Sequence, residues 1–142
     1  MKPRTKARSV ALQVLYEMDQ TNHPIESIME RRRDEISLDD NLFAFSQKII
    51  HGVFPLISEL DAQLARYAPE WPVDQVAIID RNILRIALWE LLFNTDTPLK
   101  VVINEAIELG KVFGADATPR FVNGVLGSLV ENQNEIRQQF KI

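Results

Sequence analysis

An all-α fold is what this sequence predicts, and three observations predict it. Apolar residues recur at three- and four-residue spacing in block after block. Proline and short polar residues separate the blocks at positions where helices start and stop. No segment shows sustained strand alternation or hairpin turn chemistry. The chain has 142 residues, 46% of them hydrophobic and 25% charged, which is the size and composition of one globular domain and excludes wholesale disorder. No apolar run reaches the ~18 residues a membrane span needs. No apolar h-region follows the basic start, so no secretory signal is read there. With no cysteine there is no disulfide, thiolate metal site or cysteine nucleophile. The expectation is a single cytoplasmic domain over residues 1–142.

In the first block Ala7, Val10, Ala11, Val14, Leu15 and Met18 form one apolar stripe. Thr5 is the candidate N-cap, and Asn22 with Pro24 ends the helix. A short second helix follows from Pro24 to about Arg33, burying Ile25, Ile28 and Met29; its Arg31-Arg32-Arg33 run is neutralised by Asp34 and Glu35. Ser37-Leu38-Asp39-Asp40 opens a third block as a short-acid capping box, with Leu42, Phe45, Ile49, Val53, Leu56, Leu60 and Leu64 on one face. Pro55 falls inside that pattern, where its ring either kinks one helix or separates two. Gly52 beside it is a candidate close-approach position. The chain turns at Tyr67-Ala68-Pro69-Glu70-Trp71-Pro72.

Ile83 to Phe93 is the most apolar stretch, a central helix packed on every side. Arg85 and Glu90 inside it need partners, because unpaired buried charge is very costly. Thr97-Pro98 and Thr118-Pro119 each place an N-cap candidate before a proline at the first helical position. Gly114 is a candidate left-handed stop for the first of these helices. Gly124 and Gly127 suggest that the second makes close helix contact. From Glu131 onward Gln, Asn and charge predict a fraying polar tail, 131–142.

The formal net charge of −4 hides an asymmetry. Residues 1–8 carry Lys2, Arg4, Lys6 and Arg8 and no acid, leaving 12 basic and 20 acidic residues for the rest. A +4 arm on a −8 body is the pattern of a protein that meets a polyanion at one end. Arg8 stands near a helix start, where the dipole disfavours a cation, so it has either no role or an anion to meet. Catalytic constellations are missing. His23 and His51 lack metal-ligand neighbours at helical spacing, and no phosphate-cradling glycine loop or nucleophile elbow is present. The chain therefore reads as a binding protein with no cofactor or metal, not an enzyme.

Three segments are more specific. Asp80-Arg81-Asn82-Ile83-Leu84-Arg85-Ile86-Ala87-Leu88-Trp89-Glu90-Leu91 is followed by Lys100-Val101-Val102-Ile103-Asn104-Glu105-Ala106-Ile107-Glu108-Leu109-Gly110-Lys111-Val112-Phe113-Gly114 and by Arg120-Phe121-Val122-Asn123-Gly124-Val125-Leu126. In order and spacing these resemble the C-terminal half of the NusB family. Ala7-Arg8 through Leu12-Gln13-Val14-Leu15-Tyr16 resembles its first helix.

The resemblance implies about six to seven helices in two packed bundles. It also implies a non-catalytic RNA-binding factor of transcription antitermination. Such a factor binds the boxA sequence of nascent single-stranded RNA together with the ribosomal protein NusE, and acts on the transcription elongation complex, notably in ribosomal RNA operons. Some members also form homodimers. By the same resemblance Arg4, Lys6 and Arg8, with Tyr67, Arg120 and Phe121, face RNA, while Tyr16 and Asp80 face the protein partner. Cations would take phosphates and aromatic faces would take unstacked bases. Gly110 stands where relatives commonly have alanine, lowering helix propensity by about 1 kcal/mol unless close packing compensates. Two alternatives are an interaction module without RNA affinity and a stand-alone relative of the NusB-like domain of ribosomal RNA cytosine methyltransferases.

Overall fold

The computed structural model of the protein describes residues 1–68 and 76–142. Among them are eight α-helices and one 3₁₀ turn, with no strand. They are α1 (Pro3–Gln20), α2 (Ile25–Glu35), α3 (Asp40–Val53), the 3₁₀ turn Phe54–Leu56, α4 (Ile57–Tyr67), α5 (Ile78–Phe93), α6 (Leu99–Phe113), α7 (Thr118–Glu131) and α8 (Gln133–Gln139). The expected turn at Pro69 to Pro72 lies outside the described residues.

Helix α5 is the hub. Every residue from Asn82 to Leu92 is buried, because α1 and α3 pack on one side and α4, α6 and α7 on the other. The N-terminal bundle of α1–α3 and the C-terminal bundle of α4–α7 meet on this helix. Helices α1 and α5 run antiparallel: Arg8 pairs with Glu90 at one end and Asp19 with Asn82 and Arg85 at the other. Arg85, 3% exposed, donates to Asp61 at 2.7 and 2.6 Å and to Asp19 at 2.7 Å. Burial opposes its charge, but the two carboxylates outweigh that and hold the guanidinium above its ordinary range.

Local signals place several boundaries. Asp39 caps α3 by accepting the Leu42 amide at 2.8 Å. Pro55 separates two helices through the 3₁₀ turn. Gly52 is a close approach, since a Cβ there would lie 2.2 Å from the Trp89 ring.

Other expectations are corrected. The cap positions of α1, α6 and α7 are Lys2, Pro98 and Ala117, none making a side-chain cap bond. The hydroxyls of Thr5, Thr97 and Thr118 serve other partners instead: Thr5 reaches Glu105, Thr97 accepts from Asn94, and Thr118 accepts the Ala115 amide while donating to Asp80. Gly114 has a φ of −92° and is not left-handed; a Cβ there would come within 2.5 Å of Thr118. Gly124 and Gly127 face open space, so they mark no helix contact. Residues 133–139, expected to fray, form α8, which buries Ile136 completely and donates Arg137 to the carbonyls of Leu91 and Leu92.

Candidate nucleic-acid interface

The basic arm is the first two turns of α1. Helical geometry divides its four cations. Lys2, Arg4 and Lys6 are exposed, whereas Arg8 is 2% exposed and turned into the core. Its Nε donates to both Glu90 carboxylate oxygens at 3.3 and 3.0 Å, and its Nη2 donates to Oε1 at 2.9 Å. Nη1 lies 3.4 Å from Glu105. The anion that Arg8 had to meet is therefore internal. Arg8 is withdrawn from the set of RNA-facing cations, because its guanidinium is buried against Glu90 and Glu105 and presents no surface to a phosphate.

The exposed cations are braced. The Arg4 guanidinium lies 4.6 Å from the centroid of Phe45 on α3, with Arg8 at 5.0 Å from the same ring. Lys6 reaches the Ser37 carbonyl at 3.4 Å. Ser46 ties α3 to α1 by donating to the Ala7 carbonyl at 2.7 Å. Beside the arm a groove of about 640 Å³ runs between α1 and α6, lined by Met1, Lys2, Thr5, Val101, Asn104, Glu105 and Glu108.

Arg120 and Phe121 lie on the first turn of α7, away from the arm. Arg120 is exposed; Phe121 is partly buried and lines a small cavity with Leu64, Ala68, Val76, Arg81, Leu84 and Val125. Tyr67 ends α4. Its hydroxyl donates to Glu135 at 2.9 Å, and its carbonyl accepts from Ser128. Partial burial and the Glu135 bond raise the phenol above its ordinary range. The predicted RNA-facing residues thus fall into separate groups, the arm at the Glu90 end of α5 and the aromatics with Arg120 on the α4–α7 side.

Tyr16 and Asp80 do come together. With Gln20, Ile79, Phe113 and Thr118 they line a groove of about 280 Å³ where α1, α5, α6 and α7 converge. Asp80 accepts from Thr118 at 2.8 Å, a bond that favours the charged carboxylate, but burial outweighs it and raises the group above the ordinary range. This groove lies about 15 Å along α5 from Glu90. Among the described residues, no group of three or more His, Asp or Glu side chains is placed to hold a metal.

The NusB family model matches residues 5–131. The chain belongs to the NusB family. It is 42% identical over 134 residues to the transcription antitermination protein NusB of Roseiflexus castenholzii, covering 93% of this chain and 94% of that protein. It is similar to the solved structure of T. maritima NusB, with a TM-score of 0.82 and 30% identity over 100% of this chain and 99% of that one. A chain in the crystal structure of antitermination factors NusB and NusE in complex with dsRNA shares the fold, with a TM-score of 0.83 and 24% identity over 92% and 98% of the two chains.

Sequence reasoning read Thr5 and Thr118 as helix caps and missed their partners: Thr5 donates to Glu105, and Thr118 donates to Asp80. A signal at the arm end was present, since Arg8 at a helix start has either no role or an anion to meet. Nothing in the sequence says which residue supplies that anion.

Proposed function

We propose that this protein is an RNA-binding antitermination factor that recognises boxA-type single-stranded RNA together with NusE, acts on the transcription elongation complex and catalyses no reaction. Membership of the family supports the reading, and one observation carries it to the site. Three exposed cations, Lys2, Arg4 and Lys6, project from a helix start that is itself anchored in the core. A phosphate chain is the ligand for such a surface, through counterion release and direct donation. Arg120 adds a further cation on the α7 side. Tyr67 and Phe121 supply aromatic faces for unstacked bases. Tyr16 and Asp80 line the groove that takes the NusE partner. Acting on transcription puts the protein in the cytoplasm, with residues 1–142 working as one domain.

Fluorescence anisotropy of labelled boxA RNA and of a scrambled RNA, at several salt concentrations and with or without NusE, tests this. Three single-strand phosphate contacts give a log–log salt slope of about −2. The triple variant Lys2→Gln, Arg4→Gln, Lys6→Gln flattens that slope while leaving Arg8 on Glu90. Equal affinity for both RNAs under all conditions would falsify specific recognition. NusE binding without any RNA binding identifies an interaction module instead.

A further inference from the structure

The first turn of α1 has no cap of its own. Lys2 at the N-cap makes no side-chain hydrogen bond, and no acidic residue stands in the first turn. Helix starts are ordinarily secured by a side-chain oxygen on the first amides or by a carboxylate against the positive end of the dipole. Here a carboxylate from α6 holds the turn through side chains instead of through its amides. Thr5 Oγ1 lies 2.8 and 3.0 Å from the two Glu105 oxygens, and Arg8 Nη1 lies 3.4 Å from the same group. Glu105 thereby holds two successive turns of α1.

Its charge is not needed to neutralise Arg8, since Glu90 already accepts three hydrogen bonds from that guanidinium. One cation faces two carboxylates. The surplus negative charge sits at the end of the molecule that presents Lys2, Arg4 and Lys6. For binding a polyanion, that placement is electrostatically adverse. A compensating role has to be geometric.

We infer that Glu105 is a positioning residue for RNA recognition: through Thr5 it fixes the first turn of α1, so that Lys2, Arg4 and Lys6 address one stretch of phosphates together. The inference rests on the arm being the phosphate site. Phe45 braces Arg4, and Ser37 holds Lys6, but neither contact fixes the turn from which all three cations project. Ordering that turn before binding removes an entropy cost from the complex.

The sign of one substitution separates the two roles. If Glu105 were merely a nearby negative charge, Glu105→Ala would tighten RNA binding. As a positioning residue it weakens binding about fivefold at about 0.1 M salt and flattens the salt slope by about 0.7, the share of one single-strand phosphate contact. Thr5→Val removes the hydroxyl, leaves every charge in place and produces the same loss; Thr5→Ser restores binding. Without RNA, both Glu105→Ala and Thr5→Val speed hydrogen exchange at the Lys6 amide, which bonds to the Lys2 carbonyl at 2.9 Å. Affinity for NusE stays unchanged.

Equal or tighter RNA binding by Glu105→Ala overturns the inference. So does weaker binding with an unchanged slope, the mark of a general loss of stability. Should Glu105→Ala fail to fold, the Thr5→Val and Thr5→Ser pair decides on the same readouts. If the unaltered protein binds no RNA, the arm reading falls and this inference with it; if it binds while the variants keep its slope, the inference alone falls.

Discussion

The two ends of the α1–α5 pair treat buried charge differently. At the arm end Arg8 and Glu90 are each 2% exposed and satisfy each other. At the far end Arg85 is likewise closed on Asp19 and Asp61. One turn beyond it, however, Asp80, half-buried, meets only a neutral hydroxyl from Thr118, and its Oδ2 has no hydrogen bond among the described residues. A closed pair inside leaves the arm's other cations free to point outward. An acid held only by a hydroxyl leaves an oxygen for a donor from another molecule. The first end is closed on itself, whereas the second keeps one carboxylate oxygen without a hydrogen bond among the described residues.

Breaking the closed pair should have the largest effect. Arg8→Met leaves Glu90 buried without a counter-ion, and urea unfolding should show a loss of about 3–5 kcal/mol. The double variant Arg8→Met, Glu90→Leu should recover most of it. A double variant no better than the single would mean that packing, not charge, secures this end.

Gly114→Ala probes the other end. Its φ suits any residue, so the whole cost is steric. The new methyl meets the Thr118 side chain at 2.5 Å and pushes it off Asp80. A loss of about 1–3 kcal/mol in thermal unfolding is expected. An unchanged melting temperature would show that Thr118 can move aside, and that the Asp80 bond is not held by packing.

Gly124→Ala and Gly127→Ala lie at neither end and face open space. Each should therefore stabilise the protein by about 0.5–1 kcal/mol through helix propensity. Destabilisation by either would reveal a contact the open faces do not suggest.

The smallest effect concerns pH. Burial raises the Asp80 pKa, so the folded protein holds that proton more tightly than the unfolded chain does. Stability from this group is present below its unfolded pKa and falls as pH rises through the folded one. Asp80→Asn keeps an acceptor for Thr118 and removes the titration. The variant should match the unaltered protein at about pH 3 and exceed it by less than about 1 kcal/mol at about pH 6, because solvent screens a half-exposed group. A gap that stays constant across that range would assign the difference to something other than ionisation.

What the sequence disclosed and what it withheld divide along the same line as local and distant partners. The Asp39 cap, the Pro55 break, the apolar surround of α5 and the close approach at Gly52 depend on neighbours in sequence or on residue size alone. Arg8 cannot be told from Arg4 by composition, because its partner Glu90 is 82 residues away. Thr5, Thr97 and Thr118 all carried cap chemistry, yet distant acceptors claimed the hydroxyls of Thr5 and Thr118, and Asn94 three residues back claimed that of Thr97. Helix α8 was hidden because one buried side chain, Ile136, and one arginine dock an otherwise polar segment. The candidate interface was legible as a set of cations and aromatics. Its division into separate groups was not, since that depends on how α1 and α7 are placed around α5.

The turn of α5 from Glu90 to Leu92 has a consequence for assembly. Arg8 closes on Glu90, while Arg137 donates to the carbonyls of Leu91 and Leu92 from 46 and 45 residues further along. During synthesis that turn can therefore receive its first latch as soon as α5 emerges, but the second only after residue 137 has left the ribosome. Closure of long loops is entropically costly and slows folding. The Leu91–Leu92 turn thus lacks its second latch until α8 is made, and a nascent chain stalled before α8 would leave those two carbonyls without Arg137.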